Sequence, residues 1–550
     1  MAERTIPSSD PHAGMMFADD EHQTEARGVS GVSELNRITR VTMEMQSNSS
    51  SWSEFDLPRF SPIAESRHFD VVIVGGGITG LTAGLLLAKE GKSVCVLERD
   101  RLGFGDTGNT TAHITYVTDP DLTTLAKTFG TEGAGLAWQA GAIAIDAIES
   151  IVEEQQIDCE WRRVPAYRHL PVNSKDESDT DLRRELETIQ KLGFAADFVE
   201  EAPFVKRPGI RFTNQGLFHP MKYLAGLAKA LCSAGGQIYE ESEVKEIEGD
   251  PNRITVNGHA IVADKVIIAT HVPVVGKASL LSAGIFQSKL AGYATYAVEG
   301  RTKDATLHSA SFWDTADPYH YLRIDTQGDD CRLILGGSDH KPGQCDDTEK
   351  CFEDLENLLL HLFPMATIGN RWTGEVIEPN DGLPFIGEME KGQFIATGFS
   401  GNGMTFGTFA AIMAREWVEG KTNVWQDLFS LERRAVLNAP FHYLKENADY
   451  PYYLIKDRLG VKKVEDSVQV EPGTGRIRKR GDQYVAIACA DDGTQYELSA
   501  LCTHMGCLVR WNTAAKTWDC PCHGSRFNID GTVIEGPAET PLKPLQIHRE

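Results

Sequence analysis

The 550-residue chain has no run approaching 18 consecutive apolar residues, the length a bilayer-spanning helix needs, so no transmembrane segment is expected. It also lacks a basic excess, since 54 Lys and Arg stand against 79 Asp and Glu for a formal net charge of −25. Phosphate-binding surfaces are basic, which excludes nucleic acid and anionic membrane as principal partners and leaves a basic redox partner compatible. The N-terminal stretch carries neither an apolar signal-peptide core nor a twin-arginine start. With its polar run at 46–51 it reads as a disordered tail over residues 1–55. Internal repeats are absent. Of the 11 cysteines, seven (Cys95, Cys159, Cys232, Cys331, Cys345, Cys351 and Cys489) follow no framework. Unpatterned cysteines fit a reducing compartment, so a cytoplasmic location is expected.

What is present is ordinary in bulk and specific in detail. Hydrophobic residues make up 41% and charged residues 24%, as in globular proteins, and the length implies two to four domains. The remaining four cysteines lie in Cys502-Thr-His504-Met-Gly-Cys507 and Cys520-Pro-Cys522-His523-Gly-Ser525. Two thiolates and two imidazoles in this order describe a Rieske [2Fe-2S] centre, with Cys502 and Cys520 on one iron and His504 and His523 on the other. Replacing two thiolates by neutral imidazoles lowers the cluster's negative charge and lifts its potential from roughly −400 mV into the range of about −150 to +300 mV. A structural zinc is the competing reading of a Cys2His2 set. The spacing argues against it, because each short segment supplies one Cys and one His.

These loops resemble the high-potential Rieske proteins of respiratory and photosynthetic cytochrome complexes. The resemblance implies a disulfide between Cys507 and Cys522 that clamps the loops, and a Ser525 hydroxyl donating to a bridging sulfide. Phe527 stands where that family has a tyrosine donor, so a lower potential is expected here. Residues 464–550, rich in short strands and glycine turns, form the expected small all-β Rieske domain.

A second signal lies near the other end. Phe69-Asp-Val-Val-Ile-Val74 runs into Gly75-Gly76-Gly77-Ile-Thr-Gly80 and a helical segment. Gly75 suits the tight turn, Gly77 the approach of a pyrophosphate, and Gly80 close helix packing. The next strand ends in Glu98, placed to accept from ribose hydroxyls. No second GxGxxG with its own strand and helix follows, which argues against a separate nicotinamide domain.

Residues 65–425 resemble the glycine oxidase and D-amino acid oxidase family of FAD-dependent oxidoreductases. The matching segments are Gly105-Asp-Thr-Gly-Asn-Thr110-Thr111-Ala112-His113, the strand beginning at Val244, Phe394-Ile-Ala-Thr-Gly398, and Gly401-Asn-Gly403-Met404. The likeness implies FAD held by Gly75, Gly77, Gly80, Glu98, Thr110, Thr111, Val244, Gly398, Gly403 and Met404. The expected fold is an α/β Rossmann-type FAD domain interrupted at 160–215 and 285–370 by an antiparallel-sheet substrate domain, then a helical linker over 426–463. Candidate substrate contacts are His113, Tyr319, His320, Tyr321 and Arg323, since Arg pairs with carboxylates and His or Tyr can orient a donor. The sequence names no side-chain base.

The expected activity is an FAD-dependent dehydrogenase that oxidises a small amine, amino acid or related donor. Electrons then pass singly through the cluster to a redox protein or quinone. Two alternatives are weighed beside it. A flavin and iron-sulfur redox sensor is compatible with the acidic surface and unassigned tail. A Rieske oxygenase needs a mononuclear iron on two His and a carboxylate, and Asp317-Pro-Tyr-His320 has no second His close by.

Overall fold

Strand His68–Val74 is buried along nearly its whole length, as a continuous apolar run must be when both faces of a parallel sheet are covered. It pairs in parallel with His259–Ile268 on one side and Val94–Leu97 on the other. The sheet continues outward to Gln393–Thr397 and Phe385–Glu390 at one edge and Gln237–Tyr239 at the other. A hairpin from Val244–Glu248 and Asn252–Val256 completes its eight strands. Helix Ile78–Lys89 packs between helices Gly403–Val418 and Pro220–Ser233, which explains why ten of its twelve residues are buried and no polar stripe remains. This is the expected Rossmann-type layer. The computed structural model describes residues 49–173, 178–272, 289–433, 456 and 470–545, all belonging to one compact unit.

A second sheet of nine strands stands beside the first. Its path runs from Thr367–Pro379 through Leu290–Lys303, Asp330–His340, Tyr321–Gln327 and Ala310–Asp314 to Arg162–His169, Gly209–Leu217 and His113–Ile114, with Ala196–Val199 paired to Gly209–Leu217. It is antiparallel except at one join, where Ala310–Asp314 runs parallel to Arg162–His169. The expected antiparallel sheet is therefore mixed. The reason is that its two halves come from separate stretches of chain, and no hairpin joins them there.

The cluster-bearing region contains a three-stranded sheet, Gly475–Arg480, Gln483–Cys489 and Gln495–Ser499. A four-stranded sheet, Arg510–Asn512, Thr517–Asp519, Arg526–Phe527 and Val533–Glu535, lies with it. Both are antiparallel, and Trp518, Phe527, Leu508 and Val509 fill their core.

Of the expected tail, residues 1–48 lie outside the described residues and 49–55 are packed against the fold. Trp52 is fully buried, its indole Nε1 donates to the Thr110 carbonyl at 2.6 Å, and the guanidinium groups of Arg323 and Arg332 each lie 5.1 Å from its ring. The serine-rich run in front of Trp52 masked a large side chain whose burial outweighs the polarity of its neighbours. Of the expected helical linker, Gln426–Phe429 is a short helix, and positions 434–463 other than 456 lie outside the described residues. Among the described residues, helix Leu122–Gln155 is long and apolar enough to cross a membrane by length and composition. Half of its most apolar stretch is buried in the fold, Gly130 breaks its helical geometry, and it packs on Gly403–Val418.

Candidate functional site

The two large sheets and the cluster-bearing region enclose a cavity of about 1490 Å³. That exceeds the roughly 300–1,000 Å³ of a typical small-ligand site and leaves room for a dinucleotide together with a substrate. At one end it is built on the glycine turn. Gly75 has φ +110°, and a Cβ there would lie 2.4 Å from the Ala269 carbonyl oxygen; a Cβ on Gly80 would lie 1.9 Å from the Gly75 oxygen. Only glycine permits this crossing of turn and helix. Helix Ile78–Lys89 starts at Gly77 with no side-chain cap and no acid in its first turn, the polarity that suits an anion. The Glu98 carboxylate accepts from Gly76 N–H at 2.7 Å and Asp100 N–H at 2.9 Å, and burial raises its pKa.

Gly75, Gly77, Glu98, Thr110, Thr111, Val244, Gly403 and Met404 all line the cavity. Gly80 and Gly398 do not; the first serves helix packing, and the second is a turn at φ +73° whose Cβ would meet Pro379 and Leu290. A Cβ on Gly105 or Gly403 meets nothing within 4 Å, so a side chain at either would project into open space that glycine keeps clear. The cradle, the uncapped helix and the carboxylate fit FAD.

The substrate candidates separate in the structure. His113, Tyr319 and Tyr321 line the cavity. Arg323 does not: it is 1% exposed and its N–H groups donate to the carbonyls of Ala112 at 3.0 Å and Phe218 at 2.8 Å and to Asp325 at 2.7 Å. Both terminal nitrogens of the guanidinium are engaged inside the core and the side chain is not part of the cavity lining, which places Arg323 behind the site rather than in it. It holds Ala112, a buried residue at φ +57°, in the loop that carries Thr110 and Thr111. His320 is likewise turned away from the cavity, with Nδ1 3.1 Å from Asp314 Oδ2.

Around the three that remain stand Asp119, Arg168, Thr295 and Asp339, which sequence reading missed. Tyr319 donates to Asp119 Oδ1 at 3.0 Å, Gly401 N–H donates to Asp119 Oδ2 at 3.0 Å, and the Tyr321 and Thr295 hydroxyls are 2.8 Å apart. Burial pushes Asp339 up to about 6 and raises Asp119, while burial and then the Arg323 charge bring His113 down to about 4. These groups arrive from four separate segments, so no local motif announces them. The pattern of two acids, one arginine and a neutral imidazole suits a small molecule bearing an ammonium group and a carboxylate.

The four residues expected to hold the cluster meet at the tips of two loops. Cys502 and Cys520 are 3% and 2% exposed, outside any disulfide and hydrogen-bonded to each other, and the His504 and His523 rings are 5.0 Å apart by centroid. Cys507 and Cys522 form the implied disulfide. Backbone N–H groups of His504 and Met505 point at the Cys502 sulfur, and those of Cys522 and His523 at Cys520. Ser525 accepts from Ala538 N–H at 3.0 Å and directs its own hydroxyl to Cys502. Paired thiols, paired imidazoles and amides aimed at sulfur fit a [2Fe-2S] cluster with two His ligands.

The cluster loops press against the second sheet. A Cβ on Gly524 would lie 3.8 Å from Gly292 Cα and 3.9 Å from Glu375 Oε1, and Glu375 itself lines the cavity. Arg526 reaches Glu375 at 3.8 Å and Asp519 at 3.3 Å. Beside them His271 Nδ1 is 2.5 Å from Asp106 and 3.9 Å from Glu535. Burial opposes charge on His271, yet Asp106 and then Glu535 outweigh it and push the imidazole up to about 10. Burial carries Glu535 up to about 7 and raises Glu375 well above the carboxylate range. The cavity thus shares a wall with the domain that carries the cluster ligands.

Comparison with known proteins agrees with this layout. Residues 70–417 match the FAD dependent oxidoreductase family and residues 460–546 the Rieske [2Fe-2S] domain. The chain is 31% identical over 499 residues to the Putative Rieske 2Fe-2S iron-sulfur protein YhfW of Bacillus subtilis, covering 90% of this chain and 96% of that one. It is 26% identical to the Gamma-glutamylputrescine oxidoreductase of Escherichia coli, over 73% of this chain and 96% of that one. Among solved structures, glycine oxidase from Geobacillus kaustophilus shares the fold with a TM-score of 0.55 and 24% identity, covering 67% of this chain and 100% of that one.

Proposed function

Because the chain belongs to the FAD-dependent oxidoreductase family and ends in a Rieske [2Fe-2S] domain, we propose that it is a dehydrogenase of a small amine or amino acid that delivers electrons singly to an external acceptor. When bound, FAD supplies acceptance of two electrons from a carbon, and the cluster carries one electron at a time. The observation that carries the reading is the shared wall, in which Glu375 lines the cavity and also meets the loop next to cluster ligand His523.

The chain's own groups have distinct tasks in this reading. Gly75, Gly77, Glu98, Thr110, Thr111, Val244, Gly403 and Met404 would hold FAD, with Gly80 and Gly398 shaping the backbone around it. Cys502, His504, Cys520 and His523 would hold the cluster. Asp119 and Asp339 attract the substrate's ammonium group and Arg168 its carboxylate, while His113, Tyr319 and Tyr321 orient the bond to be broken. His113 stays neutral above about pH 4, so at neutral pH it meets the substrate as an uncharged imidazole. His504 sits beside exposed Met505 and near exposed Leu501, a tip on which an acceptor protein or quinone can approach. The seven scattered cysteines are all unpaired, which supports a cytoplasmic site of action.

Anaerobic titration of the purified protein with a panel of amines and amino acids, following flavin absorbance and the reduced-cluster EPR signal together, tests this. One donor should bleach the flavin and then raise the cluster signal. If no donor does so and dithionite alone produces both changes, the dehydrogenase reading is lost and a sensor role takes its place.

A further inference from the structure

Strand Asp330–His340 and helix Glu349–Leu362 are joined by a segment at 341–348 that bears directly on the second cluster loop. Gln344 Nε2 donates to the Pro521 carbonyl at 3.0 Å, and Pro521 lies between Cys520 and Cys522. A Cβ on Gly343 would come within 2.8 Å of the Asp519 oxygen and 3.0 Å of Pro521 N, so this glycine permits the close approach. Thr348 Oγ1 accepts from Ala514 N–H at 3.1 Å. The segment is a strap across the junction of the two cofactor regions.

At the base of the strap three ligand-type atoms converge. One nitrogen of His340 and the sulfurs of Cys345 and Cys351 all lie within 4.8 Å of one another. The two thiols are hydrogen-bonded to each other and are not joined in a disulfide. His340 Nδ1 lies 2.9 Å from the Lys341 carbonyl, which can only accept, so the ring proton sits on Nδ1 and Nε2 keeps its lone pair. Metal-binding imidazoles are fixed in this way, by donation of the other ring N–H to a carbonyl. Nε2 meanwhile accepts from the Tyr296 hydroxyl at 3.0 Å, and that hydroxyl accepts from Asn512 of the cluster domain at 3.3 Å.

We propose that His340, Cys345 and Cys351 form a second metal site, distinct from the Rieske ligands, that takes a thiophilic divalent ion, Zn2+, and pins the base of the strap that bears on the second cluster loop. Two thiolates and one imidazole are the donors zinc selects, and solvent completes the fourth position. Binding forms two Zn–S bonds and one Zn–N bond and releases the two thiol protons, with no change of oxidation state. A Cys345–Cys351 disulfide is the rival outcome; it would leave His340 Nε2 with the Tyr296 hydroxyl as its partner, whereas a metal on Nε2 would displace that hydroxyl.

The test is metal analysis of the full-length protein loaded with FAD and iron, with Cys345→Ser beside a control, Cys232→Ser, at an exposed cysteine remote from the strap. The expected result is about one zinc per chain in wild type and control, lost in C345S while the iron content stays at the cluster's complement. Because C345S could fold poorly, alkylation of the wild-type protein by iodoacetamide provides a second readout: zinc should slow labelling of Cys345 and Cys351, and dipicolinate should restore it. The proposal is overturned by zinc that rises only as iron falls and persists in C345S, which places it in the Rieske site. It is equally overturned by thiols labelling at one rate with and without zinc, or by peptide mapping that finds a Cys345–Cys351 disulfide and no zinc.

Discussion

Arg323 illustrates how burial decides what a single side chain meets. An arginine on a strand facing a cavity reads as a carboxylate partner, yet this one is buried and bonds three elements together. Replacing it by Met leaves Asp325 and the Ala112 and Phe218 carbonyls short of donors. We expect R323M to lose about 3–5 kcal/mol in a denaturant titration and to bind FAD more weakly, because the Thr110–Ala112 loop loses its anchor. At the junction, His271 has its pKa raised from 6.5 to about 10 and Glu535 from 4.5 to about 7. Both favour the protonated form in the folded chain. The His271 contribution is full below about pH 6.5 and is lost as pH rises through 10; that of Glu535 is full below about pH 4.5 and is lost through 7. Thermal stability should therefore decline between pH 7 and 10, and His271→Asn, which tolerates φ +59°, should flatten that decline.

That the four candidate cluster residues would come together was legible because their chemistry is packed into two short strings, Cys502–Cys507 and Cys520–Ser525. The lining of the cavity beyond the glycine turn was legible only in part. His113, Tyr319 and Tyr321 stood near recognisable segments, whereas Asp119, Arg168 and Asp339 come together only when distant strands assemble.

Among the elements, the two helix starts separate folding from binding. Helix Ile78–Lys89 needs Gly80 because its backbone rides on Gly75, while helix Gly403–Val418 begins with a glycine that faces open space. Gly80→Ala should cost about 3 kcal/mol or more in stability through overpacking. Gly403→Ala should leave the melting temperature of the flavin-free protein unchanged and weaken FAD binding, as read by flavin fluorescence. A melting curve that falls equally for both would refute the distinction. The Rossmann-type layer was readable from its strand, turn and helix text. The parallel join of Ala310–Asp314 with Arg162–His169 was not, because strand pairing across about 140 residues leaves no periodicity in either segment.

In the molecule as a whole, the cluster region has an inward and an outward side. Gly524, beside His523, packs toward Gly292 and Glu375, whereas Met505, beside His504, is 45% exposed. Substituting Met505→Glu should slow reduction of an external acceptor and leave substrate-driven flavin bleaching at its wild-type rate, as measured by stopped flow. Equal slowing of both steps would place the acceptor elsewhere.

The wall formed by Val533, Glu535 and Ala538 is also the last part of the cavity to leave the ribosome. The glycine turn and its helix are synthesised more than 400 residues earlier. During translation the dinucleotide groove therefore exists as an open trough, and the C-terminal domain arrives to roof it. A chain cut short before residue 470 should still take up flavin and should release it faster, so that retention of the first cofactor becomes a report on completion of the chain.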